Sequence, residues 1–325
     1  MLKIAITDYA FADLEIESQV IAKANASLVS LKEKRPQADL VELVRGADAV
    51  ITQFASVNSA VIAAMDRAKV IVRYGIGVDN VDLNAARERG IPVCNVPDYC
   101  IDEVADHTLA FILASVRQVV PNTLMLREGK WGIATPLETL HSLATCTVGV
   151  IGFGRIGRAV VRRLKAFNAR VLVFDPVVPS AEIVKAGVEA SATFDELLAQ
   201  CDIVSPHCPS TPQTKRMFNV AAFAKMKPGA ILINVGRGDL VDSAALVAAL
   251  QDGKLGGAAL DVFDPEPIPA DSPVLKMKNV ILSGHIASAS PKAVRKLRES
   301  VAEIAIKAIR GEPLTSVVNG VKPKA

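Results

Sequence analysis

The chain has 325 residues, a formal charge of +3, and half of its residues are hydrophobic. This length exceeds what one hydrophobic core usually organises, so we expect two domains. The small, dispersed charge argues against a nucleic-acid-binding protein, and no apolar run reaches the roughly 18 residues of a membrane span.

Five widely spaced cysteines form no CxxC pair, which favours reduced thiols in a cytoplasmic protein. No HExxH motif and no Cys/His cluster with ligand spacing occurs, so we expect no metal site. A GxSxG motif is also absent, which argues against a serine hydrolase.

The first hundred residues alternate strand-like and helix-like runs. Strands are predicted over residues 4–7, 49–52, 70–73 and 92–95, with helices such as 57–64 and 84–89 between them. This βαβ rhythm predicts a parallel sheet. One long helix is predicted over residues 103–120, with Asp102 as its N-cap and Pro121 beyond its end. We interpret Trp131 as a packing anchor, and the long helix with the Trp131 loop as the surface of a homodimer.

A glycine-rich turn follows the predicted strand at residues 147–151. Its sequence is Gly152-Phe153-Gly154-Arg155-Ile156-Gly157, and Asp175 ends the next predicted strand, 171–174. The first glycine permits a tight turn, the second admits a pyrophosphate, and the third allows helix and strand to pack closely. The helix N-terminus favours phosphates. Asp175 can accept hydrogen bonds from both ribose hydroxyls and would repel a 2′-phosphate, so the pattern predicts NAD rather than NADP.

Further strands are predicted over residues 203–205, 231–234, 258–261 and 280–283, before a helix over residues 291–310. Arg237, Glu266 and His285 follow three of these strands. The carboxyl ends of parallel strands form the ligand-binding edge of such a sheet. An arginine suits a carboxylate, a histidine exchanges a proton near neutrality, and a glutamate orients the histidine. Together they fit the reduction of a 2-keto acid by hydride.

Each of these residues has a simpler interpretation. Arg237 taken alone fits a surface or phosphate-contacting arginine, Glu266 a loop acid and His285 a structural histidine. For His107 and His141 we favour packing or surface roles. His207 follows the predicted strand at residues 203–205 and could line a cofactor groove, but no acidic residue neighbours it in the sequence.

The chain resembles the D-isomer-specific 2-hydroxyacid dehydrogenases over nearly its full length. The resemblance rests on the glycine turn and on three further motifs, which are Asn234-Val235-Gly236-Arg237-Gly238, Asp261-Val262-Phe263-Asp264-Pro265-Glu266-Pro267 and Gly284-His285-Ile286-Ala287. It implies an α/β fold of two Rossmann-like, doubly wound parallel-sheet domains. The NAD-binding domain, residues 102–287, would be inserted into a substrate-binding domain formed by residues 1–101 and 288–325.

The resemblance also implies functional residues. The catalytic set would be Arg237, Glu266 and His285. The cofactor contacts would be Thr108, Gly152, Gly154, Arg155, Ile156, Gly157, Asp175, His207, Cys208, Pro209, Thr214, Val235, Gly236, Asp261 and Ala287.

The stretch from Arg73 to Asp82 resembles the loop that binds the substrate carboxylate in this family. Backbone N–H groups around Gly75, Ile76 and Gly77 would face the carboxylate, and the glycines permit that approach. Phe54 and Ala55 would form another wall of the substrate pocket. A purely structural turn at residues 75–77 is the alternative.

Two stretches look closer to the C-terminal-binding-protein group and its bacterial relatives, namely Thr52-Gln53-Phe54-Ala55 and residues 94–106. The chain departs from the patterns at Gly284, where the family usually has proline, and at Ser288, where that group commonly has tryptophan.

From the motifs and the family resemblance together, we expect an NAD-dependent D-2-hydroxyacid dehydrogenase. The alternative is an NAD(H)-sensing, co-repressor-like binding protein with vestigial activity. A third class, an NAD enzyme acting on phosphite or formate, lacks any supporting residue.

Overall fold

The computed structural model describes residues 2–33 and 35–322. The chain divides into two compact units. Unit 1 comprises Met1–Tyr99 and Ser290–Ala325, and unit 2 comprises Cys100–Ala289. The second unit is thus an insertion within the first, and each boundary lies two residues from the one expected from the sequence.

Unit 1 is built on a parallel sheet of five strands. The strands are β1 (Leu2–Ile6), β2 (Ala26–Ser30), β3 (Ala49–Thr52), β4 (Ile71–Arg73) and β5 (Val93–Cys94), in the order β2-β1-β3-β4-β5. The helices are α1 (Glu15–Ala22), α2 (Gln37–Val44), α3 (Ser59–Ala63), α4 (Leu83–Glu88) and, from the far end of the chain, α12 (Pro291–Arg310). This strand order is one of the two common doubly wound arrangements.

Both faces of this sheet are buried. Successive residues of the strands point to opposite faces, so Ile4 and Ile6 pack with α12 while Ala5 packs with α2 and α3. The helix α12 begins as predicted at Pro291, where the Ser290 hydroxyl accepts a hydrogen bond from the backbone of Ala293 at 3.0 Å. It ends before Gly311, whose φ of 73° closes the last turn.

Unit 2 carries a parallel sheet of seven strands. They are β6 (Thr147–Ile151), β7 (Arg170–Phe174), β8 (Glu189–Ala190), β9 (Ile203–Pro206), β10 (Ala230–Asn234), β11 (Leu255–Leu260) and β12 (Val280–Leu282), in the order β12-β11-β10-β9-β6-β7-β8. The strand order reverses at β6, as in the Rossmann fold. Helices α7 (Arg155–Ala166), α8 (Ser180–Lys185), α9 (Phe194–Gln200), α10 (Val220–Lys225) and α11 (Ser243–Gln251) connect the strands. The expected fold class is confirmed.

The single helix predicted over residues 103–120 is wrong. The structure has α5 (Ile101–Val116) and α6 (Val119–Arg127), bent by 63°. Gln118 breaks the helix because its φ is 51°, in the left-handed region. Cys100, and not Asp102, precedes the first turn of α5. Among the described residues no single helix is long and apolar enough to cross a membrane, although α5 and α6 together meet that test as a bent pair.

Trp131 does not pack within the chain, contrary to our interpretation. Its side chain is 93% exposed in the loop after α6. Leu124 and Leu126 of α6 are also exposed, as are Ile133 and Leu137 nearby. None of the five cysteines, all of which lie within the described residues, forms a disulfide bond.

Candidate active site

The turn after β6 has the geometry that the glycine motif requires. Gly152 has a φ of 94°, and a Cβ added there would lie 2.9 Å from the backbone of His207 and Cys208. A Cβ at Gly157 would lie 2.1 Å from the carbonyl oxygen of Gly152. Neither position therefore accepts a side chain. A Cβ at Gly154, in contrast, would meet no atom within 4 Å, so the middle of the turn faces open space.

A dinucleotide fits this turn on structural grounds. Gly154 is the N-cap of α7 and makes no side-chain cap hydrogen bond, so the first N–H groups of the helix remain available to an anion. Arg155 and Ile156 form the first turn of α7 beside that opening. These residues would hold the pyrophosphate of NAD.

Asp175 lies after β7, beside the same turn. Its Oδ2 atom accepts the Phe153 N–H at 2.6 Å, and its Oδ1 atom accepts the N–H groups of Val177 and Val178 at 2.8 and 2.9 Å. Burial raises the pKa of this carboxyl group, but these three donors outweigh burial and hold the pKa below its ordinary value. Asp175 is therefore ionised at neutral pH.

The segment after β9 forms another part of the same sheet edge. The His207 imidazole accepts or donates a hydrogen bond with the Ser205 hydroxyl at 2.9 Å, and burial lowers the pKa of His207 to about 4. The Thr214 hydroxyl donates to the carbonyl of Pro209 at 2.7 Å, which closes the loop between them. Burial raises the pKa of Cys208 to about 11, so the thiol is protonated at neutral pH.

Arg237 follows β10 in an extended conformation. The Asn234 side chain braces this turn by donating to the carbonyl of Arg237 at 2.8 Å and accepting from the N–H of Gly236 at 3.1 Å. A Cβ added at Gly238 would lie 2.0 Å from the backbone of Phe263. The loops after β10 and β11 are thus in close contact, and only glycine fits between them.

His285 and Glu266 form a direct pair. The Nδ1 atom of His285 lies 2.7 Å from Oε2 of Glu266, and the two side chains are 31% and 32% exposed. The other oxygen, Oε1, accepts the Phe263 N–H at 3.0 Å. Burial raises the pKa of Glu266. The hydrogen bond from His285, the Phe263 N–H and the charges of His285 and Arg237 outweigh burial, so the pKa of Glu266 lies below its ordinary value.

Asp261 is fully buried at the end of β11. Its Oδ1 atom accepts the Ile286 N–H at 2.9 Å, and its Oδ2 atom accepts the Ala287 N–H at 2.8 Å. The Ser283 hydroxyl also donates to Oδ1. Asp261 therefore fastens the segment that carries His285.

Unit 1 contains the loop expected to bind the substrate carboxylate. The Asn95 side chain donates to the carbonyl of Ile76 at 2.7 Å, and the backbone N–H of Val96 donates to the carbonyl of Gly75 at 2.9 Å. The Arg73 guanidinium lies directly against Gly75, where an added Cβ would be 1.6 Å from its Nη1 atom. Gly77 is part of the same half-buried turn.

The segment containing Phe54 and Ala55 is held from two sides. The buried Asp8 carboxylate accepts the N–H groups of Gln53 and Phe54 at 3.0 and 2.6 Å. The Asn80 side chain donates to the carbonyl of Ala55 at 2.9 Å. Phe54 itself is 47% exposed, and Ala55 is buried.

The structure brings most of the predicted residues of unit 2 to one sheet edge, because they follow the carboxyl ends of β6, β7, β9, β10, β11 and β12. Val235 is buried directly after β10. Thr108 is the exception. It is fully buried in α5, and its hydroxyl donates to the carbonyl of Val104 at 2.7 Å.

Sequence reasoning missed Asp8, Ser283, the position of the Arg73 guanidinium against Gly75 and the surroundings of His107. The Nε2 atom of His107 lies 3.1 Å from the Ser283 hydroxyl. Position at a strand end was a signal for Asp8, Arg73 and Ser283, but His107 lies within a helix and no local pattern marks it. Within residues 2–33 and 35–322, no group of three or more His, Cys, Asp or Glu side chains has a metal-binding arrangement.

The amino-acid sequence is similar to that of known dehydrogenases. Residues 109–287 match the family model described as "D-isomer specific 2-hydroxyacid dehydrogenase, NAD binding domain". The chain is 38% identical over 283 residues to a glyoxylate reductase of Korarchaeum cryptofilum, covering 86% of this chain and 85% of that protein. It is 37% identical over 309 residues to a D-3-phosphoglycerate dehydrogenase of Mycobacterium leprae, covering 95% of this chain and 58% of that protein.

Among solved structures, D-lactate dehydrogenase from Aquifex aeolicus, complexed with NAD and lactic acid, superposes with a TM-score of 0.85 at 28% identity. The match covers 95% of this chain and 96% of that one. A Rossmann sheet with a glycine turn and a strand-end acid defines the class as an NAD-binding oxidoreductase. Within that class, the chain belongs to the D-isomer-specific 2-hydroxyacid dehydrogenase family.

NAD is accordingly the cofactor of residues 109–287. The chain spans a little over half the length of the phosphoglycerate dehydrogenase relative. The closer resemblance to the C-terminal-binding-protein group stays a prediction.

Proposed function

We propose that the protein interconverts a small D-2-hydroxy acid and the corresponding 2-keto acid with NAD, and that Arg237, Glu266 and His285 are its catalytic residues. The pair formed by His285 and Glu266 at 2.7 Å carries this proposal. It stands on the same sheet edge as the glycine turn, where ligands of doubly wound sheets bind.

His285 is the proton donor in the reduction. An ionised carboxylate only accepts hydrogen bonds, so the proton on Nδ1 faces Glu266 and the Nε2 atom is the one that exchanges a proton with substrate oxygen. Bound NADH supplies the hydride to the carbonyl carbon. In the oxidation direction, neutral Nε2 takes the hydroxyl proton. Glu266 orients the ring and stabilises the imidazolium.

Arg237 binds the substrate carboxylate and polarises the carbonyl, since its charge persists at any ordinary pH. In unit 1, the backbone N–H groups of Gly75, Ile76 and Gly77 are the substrate-carboxylate ligands that we propose, and the Arg73 guanidinium lies beside Gly75. Phe54 and Ala55 are the substrate side-chain wall. The half-exposed Phe54 ring would favour a small substituent on the 2-keto acid.

The cofactor contacts we propose are the glycine turn, Asp175, the His207–Thr214 segment, Val235 and Gly236, and the segment from Asp261 to Ala287. The ionised Asp175 favours NAD, because it accepts ribose hydroxyls and repels a 2′-phosphate. For Thr108 we propose only a supporting role beside the cofactor, because its hydroxyl already donates to a carbonyl within α5.

We further propose that the protein is a cytoplasmic homodimer. The five cysteines, none of which forms a disulfide bond, support a reducing compartment. Trp131, Leu124, Leu126 and Leu137 are large apolar side chains exposed close together in the sequence, and protein interfaces bury side chains of this kind. Sedimentation of the wild-type protein and of Trp131→Ser would test it, since the substitution should shift the population toward monomer.

The decisive experiment is NADH oxidation with a panel of 2-keto acids, comprising glyoxylate, hydroxypyruvate, pyruvate, 2-ketobutyrate, phenylpyruvate and 3-phosphohydroxypyruvate. His285→Ala is the control. Turnover that disappears in the variant supports the proposed reaction, and the ranking of substrates reports the size and charge of the pocket. Tight NADH binding without turnover on any acid would favour the NAD(H)-sensing alternative.

A further inference from the structure

The backbone of His285 is strained. Its φ is 57°, in the left-handed region that non-glycine residues rarely adopt. The preceding residue, Gly284, has the freest backbone of any residue type, and a Cβ there would meet no atom within 4 Å. Neither local sequence nor steric contact at Gly284 therefore holds the ring in place, so hydrogen bonds from elsewhere must do so.

One residue, Asp261, accepts several hydrogen bonds from the segment around His285. The main-chain oxygen of Asp261 accepts the His285 N–H at 2.7 Å, and its carboxylate accepts the next two N–H groups, of Ile286 and Ala287. The Ser283 hydroxyl donates to the same carboxylate from the other side of His285. The catalytic segment is thus attached to Asp261 on both sides of the strained residue.

His107 extends this attachment to α5. Its Nε2 atom lies 3.1 Å from the Ser283 oxygen and 3.9 Å from Oδ1 of Asp261. The ring stands edge-on against Phe111, with centroids 4.4 Å apart. The single proton of the Ser283 hydroxyl goes to Asp261, so Ser283 accepts from His107. Nε2 of His107 must therefore carry a hydrogen.

We propose that His107 is a positioning residue for the reaction. It donates to Ser283, fixes the hydroxyl toward Asp261, and so holds His285 in the left-handed conformation that presents its ring to Glu266. This inference rests on the proposed role of His285. The residues that carry it, His107 and Ser283, stand 176 positions apart in the sequence.

The test compares two substitutions in the full-length protein. His107→Gln keeps an N–H donor at similar reach, whereas His107→Leu keeps apolar bulk but removes the donor. We expect His107→Leu to lower kcat roughly three- to tenfold, the effect of losing one ordinary hydrogen bond. His107→Gln should recover most of that loss. The Kd for NADH and the Tm should be similar in the two variants.

A spectroscopic measurement checks the chemistry independently of activity. The chain has only four histidines, so ¹⁵N-correlated NMR of the imidazoles can be assigned by comparison with His107→Gln. The proposal requires that His107 carry a proton on Nε2 at neutral pH. A neutral ring protonated only on Nδ1 would overturn it, because no donor would then face Ser283.

The remaining outcomes separate this inference from the proposed function. If His285→Ala abolishes turnover while His107→Leu equals wild type, His107 has no positioning role and the proposed function stands. If His107→Gln is as slow as His107→Leu, the imidazole acts by packing alone and the inference fails. If His285→Ala keeps full turnover, the assignment of His285 fails, and the positioning role of His107 falls with it.

Discussion

The pair formed by Glu266 and His285 can be tested by removing one charge and little else. In Glu266→Gln, the amide oxygen can still accept the Phe263 N–H that Glu266 accepts at 3.0 Å. The amide nitrogen would then face Nδ1 of His285, where the carboxylate oxygen now lies at 2.7 Å. Two donors would oppose each other, so the histidine would lose its orienting partner while the loop keeps its shape.

The size of the effect follows from the contact. A hydrogen bond to a charged group contributes about 1.5–3 kcal/mol. The two side chains are 31% and 32% exposed, and solvent screening reduces the contribution toward the lower end, to about 1.5–2 kcal/mol. Since each 1.4 kcal/mol or so changes a rate tenfold, kcat should fall roughly ten- to thirtyfold. The Kd for NADH should not change.

The pH dependence gives a second, sharper check. The pKa of Glu266 lies below its ordinary value, because hydrogen bonds and positive charge outweigh the effect of burial. The wild-type pair therefore persists as the pH falls, until Glu266 protonates below the usual glutamate range. The ratio of wild-type to Glu266→Gln kcat should therefore shrink as the pH falls below that range. A ratio within twofold of unity at neutral pH would refute the orienting role of Glu266.

Three further outcomes are expected. Asp175→Asn removes the charge and keeps one of the two acceptor oxygens that the neighbouring N–H groups use, so the ratio of kcat/KM for NADPH to that for NADH should rise about tenfold, equivalent to roughly 1.4 kcal/mol; an unaltered ratio assigns the preference to another residue. Glu17→Ala removes the buried carboxylate that Arg298 contacts at 2.7 Å but leaves Asp13, which contacts the same guanidinium at 2.9 Å. The substitution should cost about 3 kcal/mol in urea unfolding, the lower end for breaking a buried ion pair, whereas a loss under about 1 kcal/mol would mean that Asp13 alone satisfies Arg298. Gly157→Ala places a Cβ 2.1 Å from the Gly152 oxygen and should weaken NADH binding at least tenfold, as measured by fluorescence titration; wild-type affinity would show that the turn can shift.

Much of the fold was predictable because its strands are fully buried. The strands at Ala49–Thr52 and Thr147–Ile151 were predicted with their observed bounds, since continuous apolar runs ending in a turn are typical of parallel sheets. The helix Pro291–Arg310 was predicted as well, because Pro291 suits a first helical turn. Arg237, Glu266 and His285 could be identified as candidates because they follow predicted strands, and the carboxyl ends of parallel strands form the ligand-binding edge of such a sheet.

The remainder depended on contacts that local sequence does not encode. The strand Ala26–Ser30 lies at the sheet edge and is only half buried, so it lacks a strong apolar run. The break at Gln118 requires a left-handed residue without the glycine or asparagine that usually signals one. Trp131 is exposed although its type predicts packing. The contact between His107 and Ser283 joins two distant segments.

The last helix of the chain has a consequence for synthesis on the ribosome. Leu297, Val301 and Ala305 of α12 complete the core beneath β1, β3 and β4, yet they are translated after all of unit 2. One apolar face of the first sheet therefore stays uncovered during synthesis until the roughly two hundred residues of unit 2 have been added. The sequence of unit 2 is complete before that of unit 1. A chain that stops short of α12 would keep that face exposed, which makes it a natural substrate for chaperones and for aggregation.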